Sequence, residues 1–171
     1  GAASNTTHGR GARRGVGYAV SFKNIGFSAG FDDYSTARVT LSIEDGEPLV
    51  RVHTAAAEVG QGLVTLQAQI TRAELGVERV GVLQADTRVG SAGSTSASRQ
   101  SYVTGGAVKK ACETVRERLF QRIREELGEE FGELSVENGN VVSEGEVVLP
   151  LAEVLDEEIE ETVEYRHKPT Y

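Results

Sequence analysis

Cysteine is almost absent from this chain: Cys112 is the only one in 171 residues. No intrachain disulfide can form, and a reducing, cytoplasmic setting fits. Histidine is scarce and scattered, with His8, His53 and His167 in three separate stretches. With one cysteine and no closely spaced His/Cys/Asp set, no transition-metal cage is visible, so no protein metal ligand is expected. Methionine is missing altogether, even at the first position, which is Gly1. Together with the ending Lys168-Pro169-Thr170-Tyr171, this suggests a piece of a longer polypeptide. No apolar run approaches the roughly 20 residues that span a bilayer, so no membrane partner is expected. The opening, Gly1 to Gly15, lacks the apolar core of a signal peptide, and residues 1–13 read as a flexible lead-in.

What is present is an ordinary globular composition, 39% hydrophobic and 26% charged, enough for one domain over residues 14–171. The formal net charge is -8, and the acid excess lies mainly between Glu113 and Glu164. Runs such as Glu125-Glu126 and Asp156-Glu157-Glu158 are best read as solvated faces. So acidic a chain is a poor candidate for binding nucleic acid, where phosphate contacts dominate affinity.

Periodicity predicts an α+β chain. Val16 to Phe22 alternates modestly and reads as a strand, followed by a glycine-rich loop from Gly26 to Gly30. Thr36 to Thr54 is a hairpin: Val39, Leu41 and Ile43 alternate, Asp45-Gly46 turns, and Val50 and Val52 return inward. A helix over Leu63 to Leu75 carries an apolar stripe of Leu63, Leu66, Ile70 and Ala73 and ends at Gly76. Val80 to Ala85 reads as a strand. A long loop of small residues leads into a helix over Ser101 to Leu127, with Val108, Ala111, Cys112, Val115, Leu119, Ile123 and Leu127 buried. Cys112 on that stripe is a core residue, not a nucleophile. Leu134 to Val142 reads as a small hairpin turning at Asn138-Gly139, Leu151 to Ile159 as a helix opened by Pro150, and Thr162 to Arg166 as a last strand.

The residues exclude several chemistries. The serines of Ser91 to Ser101 form no Gly-x-Ser-x-Gly elbow and have no informative histidine, so they read as hydrogen-bond donors and a helix cap. Gly105-Gly106 before Lys109-Lys110 has the wrong spacing for a P-loop, and Gly15-Val16-Gly17 lacks the third glycine of a dinucleotide fingerprint. Anion cradling remains. In Glu58-Val59-Gly60-Gln61-Gly62 a glycine loop runs into a helix, where unpaired N–H groups at the positive end of the dipole suit a phosphate. The Gly90 to Ser101 cluster repeats the arrangement before the second helix, so two junctions would grip one anionic ligand. The residues alone leave open a stand-alone phosphate- or nucleotide-binding module without chemistry, or glycine turns that bind nothing.

The two glycine motifs carry a family resemblance. Glu58-Val59-Gly60-Gln61-Gly62, Thr65, Gln69-Ile70 and Glu74-Leu75-Gly76-Val77 resemble a segment of the xanthine dehydrogenase/aldehyde oxidase family. So do Asp86-Thr87, Gly93 through Arg99, Gly105, Ala107-Val108, Ala111-Cys112 and Arg116, in order and correctly spaced. The resemblance runs from Arg14 onward. It implies two-layer mixed β-sheets with packed helices, as in a molybdenum-cofactor-binding domain. It also implies a part of the molybdopterin-binding large subunit of a molybdenum hydroxylase, an enzyme that hydroxylates purines, N-heteroaromatics or aldehydes with oxygen from water. Val59, Gly60 and Gln61 of the first loop, and Thr95, Ala97, Ser98 and Gln100 of the second, would contact molybdopterin, in simple or dinucleotide form. Val59 stands where the family usually has methionine, and position 100 varies in the family. Iron–sulfur clusters and FAD would sit on other domains or subunits, the expected partners beside the remainder of the molybdopterin subunit and the small-molecule substrate. The family's catalytic glutamate and its Phe-Gly loop have no match here. The chain alone is therefore expected to be inactive, with Glu58 pointing away from the cofactor or capping a neighbour.

Overall fold

The computed structural model describes residues 15–22, 30–128 and 131–167. Its larger sheet has four strands in the order β3-β2-β1-β7. Strands β1 (Tyr34–Glu44) and β2 (Glu47–Thr54) form the predicted hairpin in register Val39↔Val52 and Leu41↔Val50. Asp45-Gly46 turns the chain, both at positive φ, the conformation that suits the right-handed twist of the strands. Strand β3 (Val80–Val82) joins β2 in parallel, after the α-helical crossover α1 (Leu63–Leu75). Strand β7 (Ile159–Arg166) closes the other side against β1, antiparallel. The long helix α2 (Gly105–Leu127) lies across β1 and β7.

A second sheet is antiparallel, with β4 (Leu134–Glu137), β5 (Asn140–Ser143) and β6 (Glu146–Pro150) in sequence order. A single helical turn, α3 (Leu151–Val154), leads back towards β7. One core joins the layers. Ala37, Val39 and Leu41 from β1, Val50 and Val52 from β2, and Ala107, Val108, Ala111, Cys112, Val115, Leu119 and Ile123 from α2 are all at most 1% exposed. The architecture is therefore α+β, with mixed sheets and packed helices, as expected.

Several local expectations are corrected. Val16 to Phe22 is not a strand: it has no ladder partner among the described residues, and Val16, Tyr18, Val20 and Phe22 are exposed. Alternation alone does not make a strand, and both edges of β1 are already taken by β2 and β7. Most of the glycine-rich loop expected at Gly26 to Gly30 lies outside the described residues, as do the lead-in and His8.

The inward face of α1 is rotated from the apolar stripe. Leu63, Gln67, Thr71 and Leu75 are buried, while Ala73 is exposed. Burial of the two polar residues is tolerated because they are bonded. Thr71 Oγ1 donates to the Gln67 carbonyl at 2.8 Å, and the Gln67 carboxamide oxygen accepts from Thr54 Oγ1 at 3.5 Å. Leu127, the last residue of α2, is exposed, and β3 stops at Val82. Strand β6 was not expected, and α3 is far shorter than Leu151 to Ile159, because Ile159 is the first residue of β7. Pro150 closes β6 and stands at the N-cap of α3.

Candidate cofactor-holding site

The first loop leaves β2 at Thr54, whose hydroxyl accepts the backbone N–H of Ala56 at 3.3 Å. Residues 57–62 are all exposed. Gly60 (φ +97°) and Gly62 (φ +80°) adopt the left-handed backbone that glycine permits, and open space surrounds both where a side chain would stand. Gly62 is the N-cap of α1 and has no side chain with which to cap it.

The expected vacancy at this helix N-terminus is filled by the chain itself. The Glu58 carboxylate accepts from the N–H of Gly60 at 2.7 Å, Gly62 at 3.1 Å and Val64 at 3.0 Å. The N–H of Val64 first, with those of Gly62 and Gly60, holds the Glu58 carboxyl below its ordinary pKa. Gln61 reaches the other way. Its carboxamide oxygen accepts from the Val59 N–H at 2.6 Å, and its nitrogen donates to the Ala57 carbonyl at 3.0 Å. The junction read as a phosphate receptor thus already holds a carboxylate, and the reading of Glu58 as a cap agrees with the geometry.

The second loop starts at Asp86, which caps the 3₁₀ turn Thr87–Val89 by accepting the Arg88 N–H at 2.9 Å. The Arg88 guanidinium beside it and that backbone bond draw the Asp86 carboxyl down to about 2. Farther on, Gly93, Ser94, Thr95, Ala97 and Ser98 are exposed. Ala97 sits at φ +47°, an uncommon conformation for a residue with a side chain, just before the backbone winds into a π turn over Gln100–Thr104. That π turn precedes α2, so the helix expected to begin at Ser101 has two parts, and neither has a side-chain cap.

Beneath the loop is a buried polar network. Arg99 is 1% exposed and donates to the Asp33 carboxylate and to the carbonyls of Tyr34, Ala92 and Ser94. Gln100, also buried, donates to the Ala92 and Ser94 carbonyls at 3.2 and 3.3 Å and accepts from the Thr104 hydroxyl. Thr104 is linked in turn to Ser35 of β1 at 2.8 Å. The Gln100 side chain therefore builds the loop from inside, whereas the other six predicted contact residues lie on the surface. Sequence reasoning gave Arg99 and Asp33 no role. The available signal was Arg99 itself, the only long basic side chain between Ser91 and Gly106.

Ala92 ties the two loops together. Its methyl packs in a small apolar cluster with Ala56 and Leu63 at the ends of the first loop, and its carbonyl is held by Arg99 and Gln100. A cleft of about 310 Å³ flanks the first loop, lined by Ala57, Glu58, Val64, Gln67 and Leu83. One of about 320 Å³ flanks the second, lined by Phe31, Asp33, Tyr34, Ser91, Ser94 and Arg99. His53 is half-buried on β2, and His167 meets Tyr102 edge-on. Among the described residues no group of three His, Cys, Asp or Glu side chains is placed to hold a metal ion. No described helix is long and apolar enough to cross a membrane.

Comparison with known proteins decides what these loops belong to. Residues 2–171 match the family model of the molybdopterin cofactor-binding domain. The chain belongs to that family. This molybdopterin cofactor-binding domain is 36% identical over 120 residues to a xanthine dehydrogenase of Blastobotrys adeninivorans, a match covering 68% of this chain and 8% of that protein. It is 31% identical over 129 residues to a nicotinate hydroxylase of Emericella nidulans, covering 74% and 9%. The chain thus spans under a tenth of the length of these curated relatives.

Among solved structures, quinoline 2-oxidoreductase from Pseudomonas putida 86 superposes with a TM-score of 0.59 at 27% identity, over 77% of this chain and 19% of that one. A CO dehydrogenase from Oligotropha carboxidovorans gives a TM-score of 0.64 at 19% identity, over 80% and 18%, which supports the fold alone. The alternative of an unrelated stand-alone phosphate- or nucleotide-binding module is set aside by the family match. Glu58 on the α1 N-terminus removes the first loop's share of its physical motive too.

Proposed function

We propose that this chain is the part of a molybdenum hydroxylase, of the xanthine dehydrogenase/aldehyde oxidase type, that holds molybdopterin between two loops. The observation that carries this is Ala92, whose methyl and carbonyl lock both loops into one surface. The residues fit such a group. Open space stands beside Gly60 and Gly62, whose N–H groups Glu58 holds, and Thr95 and Ser98 are exposed, their hydroxyls with no hydrogen bond to the described residues. Val59, Gly60 and Gln61 would hold the cofactor from the first loop, and Thr95, Ala97 and Ser98 from the second.

Gln100 supports that second set from beneath, through the carbonyls of Ala92 and Ser94. With Glu58 on the α1 N-terminus, contacts from the first loop are neutral hydrogen bonds and apolar packing, not a phosphate cradle. Bound there, molybdopterin would supply the redox chemistry for hydroxylating a purine, N-heteroaromatic or aldehyde with oxygen from water, the two electrons released passing on to the iron–sulfur and flavin groups of the partner domains or subunits. No residue of this chain is given a catalytic role, so the 171-residue chain alone should turn over none of these substrates. The rest of the molybdopterin subunit, with iron–sulfur and flavin domains or subunits, would complete the enzyme in the cytoplasm, and the pterin would be the simple or the dinucleotide form.

Mass spectrometry of the gently purified full-length parent protein tests this. Molybdopterin or its dinucleotide is the expected ligand; an unrelated nucleotide, or a ligand-free protein from cells that make molybdopterin, would contradict it.

A further inference from the structure

We infer that Glu58 is a positioning residue for the first loop, acting through its charge on the loop backbone; this rests on the cofactor-holding role proposed above. Gly62 at the N-cap of α1 has no side chain with which to satisfy the helix's first N–H groups. Glu58 folds forward over the loop and takes three of the backbone donors, those of Gly60, Gly62 and Val64. Gln61 folds backward onto Val59 N–H and the Ala57 carbonyl. The two side chains therefore interleave: each pins the backbone that carries the other. The carboxamide of Gln61 stands where it does because Glu58 fixes Gly60 and Gly62 on either side of it.

Charge is the working property. A carboxylate offers several acceptor sites, and bonds from backbone N–H groups to it are about twice as strong as those to a neutral amide. A glutamine at position 58 keeps the length but has a single acceptor oxygen and no charge. An aspartate keeps the charge and loses one methylene of reach. Glu58 is exposed and lies outside the core, so neither change threatens folding.

The test uses the full-length parent protein with Glu58→Gln, Glu58→Asp and Gln61→Ala, and reads two quantities. The first is amide hydrogen exchange over residues 59–64 in cofactor-free protein. The second is molybdenum and pterin per polypeptide. In Glu58→Gln, exchange over those residues should rise about tenfold and cofactor content fall about fivefold, with the circular dichroism spectrum of the folded protein retained. Glu58→Asp should recover at least about half of both effects.

The inference is overturned if exchange is unchanged in Glu58→Gln, or if Glu58→Asp behaves no better than Glu58→Gln. It is equally overturned if Gln61→Ala loses the cofactor while Glu58→Gln keeps it, an outcome that leaves the cofactor-holding role standing. Retention by both Gln61→Ala and Glu58→Gln would instead count against that role, and the exchange data alone would then judge Glu58.

Discussion

The guanidinium of Arg99 closes on the carboxylate of Asp33 beneath the second loop, with 1% and 6% of the two side chains exposed. Asp33 immediately precedes β1, and Arg99 immediately precedes the π turn that leads into α2. The pair therefore fastens an otherwise irregular loop to the larger sheet. Gly93 makes this possible, because a side chain there would run into the Arg99 guanidinium.

Arg99→Leu should destabilise the protein by about 3–5 kcal/mol, since it leaves the Asp33 carboxylate buried without its partner. Arg99→Lys should recover little of this, because an ammonium cannot reproduce the planar fork that serves Asp33 and three carbonyls. Urea unfolding of the three proteins checks both statements.

Cys112 should resist alkylation in the folded protein. Burial raises its thiol pKa to about 12, so almost no thiolate forms near neutrality. The folded pKa lies above the ordinary thiol value, so stability linked to the neutral thiol is complete below that value and declines as pH rises towards about 12. Iodoacetamide labelling at pH 8 should be slow until denaturant is added. Cys112→Ala should weaken the decline in stability at alkaline pH.

Gly76 ends α1 at φ +61°, and a β-carbon there would collide with the Val136 carbonyl of β4. Gly76→Ala should therefore cost more than the roughly 1 kcal/mol expected of the left-handed conformation alone, because the second sheet must move. A drop in the thermal midpoint clearly larger than that of Gly46→Ala, which has a positive φ and open space, would confirm the steric part.

Much of this fold was legible in the sequence, for physical reasons that differ by element. The β1–β2 hairpin showed itself because alternation and Asp45-Gly46 agree, and α1 because Gly62 and Gly76 bracket it. Strand β6 was hidden: it pairs with β5 on one side only, Val147 is exposed, and Pro150 ends it. The buried face of α1 departs from the apolar stripe because two polar residues on it are bonded, Thr71 to the Gln67 carbonyl one turn back and Gln67 to Thr54 of β2. At the site, the two loops were visible as glycine and small-residue clusters. Their coupling was not, since Ala92, Ala56 and Leu63 meet only in three dimensions. Glu58 was legible as a candidate cap; which donors it takes, the same ones that made the first loop look like a phosphate receptor, is seen only in three dimensions.

Molybdenum and pterin content of the full-length protein carrying Gln61→Ala or, separately, Ser98→Ala tests most directly whether both loops hold the cofactor. Each variant removes a surface group from one loop and leaves the Arg99–Asp33 anchor in place. The expected result is a loss of about fivefold to tenfold in cofactor content for each, with an unchanged unfolding midpoint. Wild-type cofactor content in both variants would contradict the proposed role of the two loops.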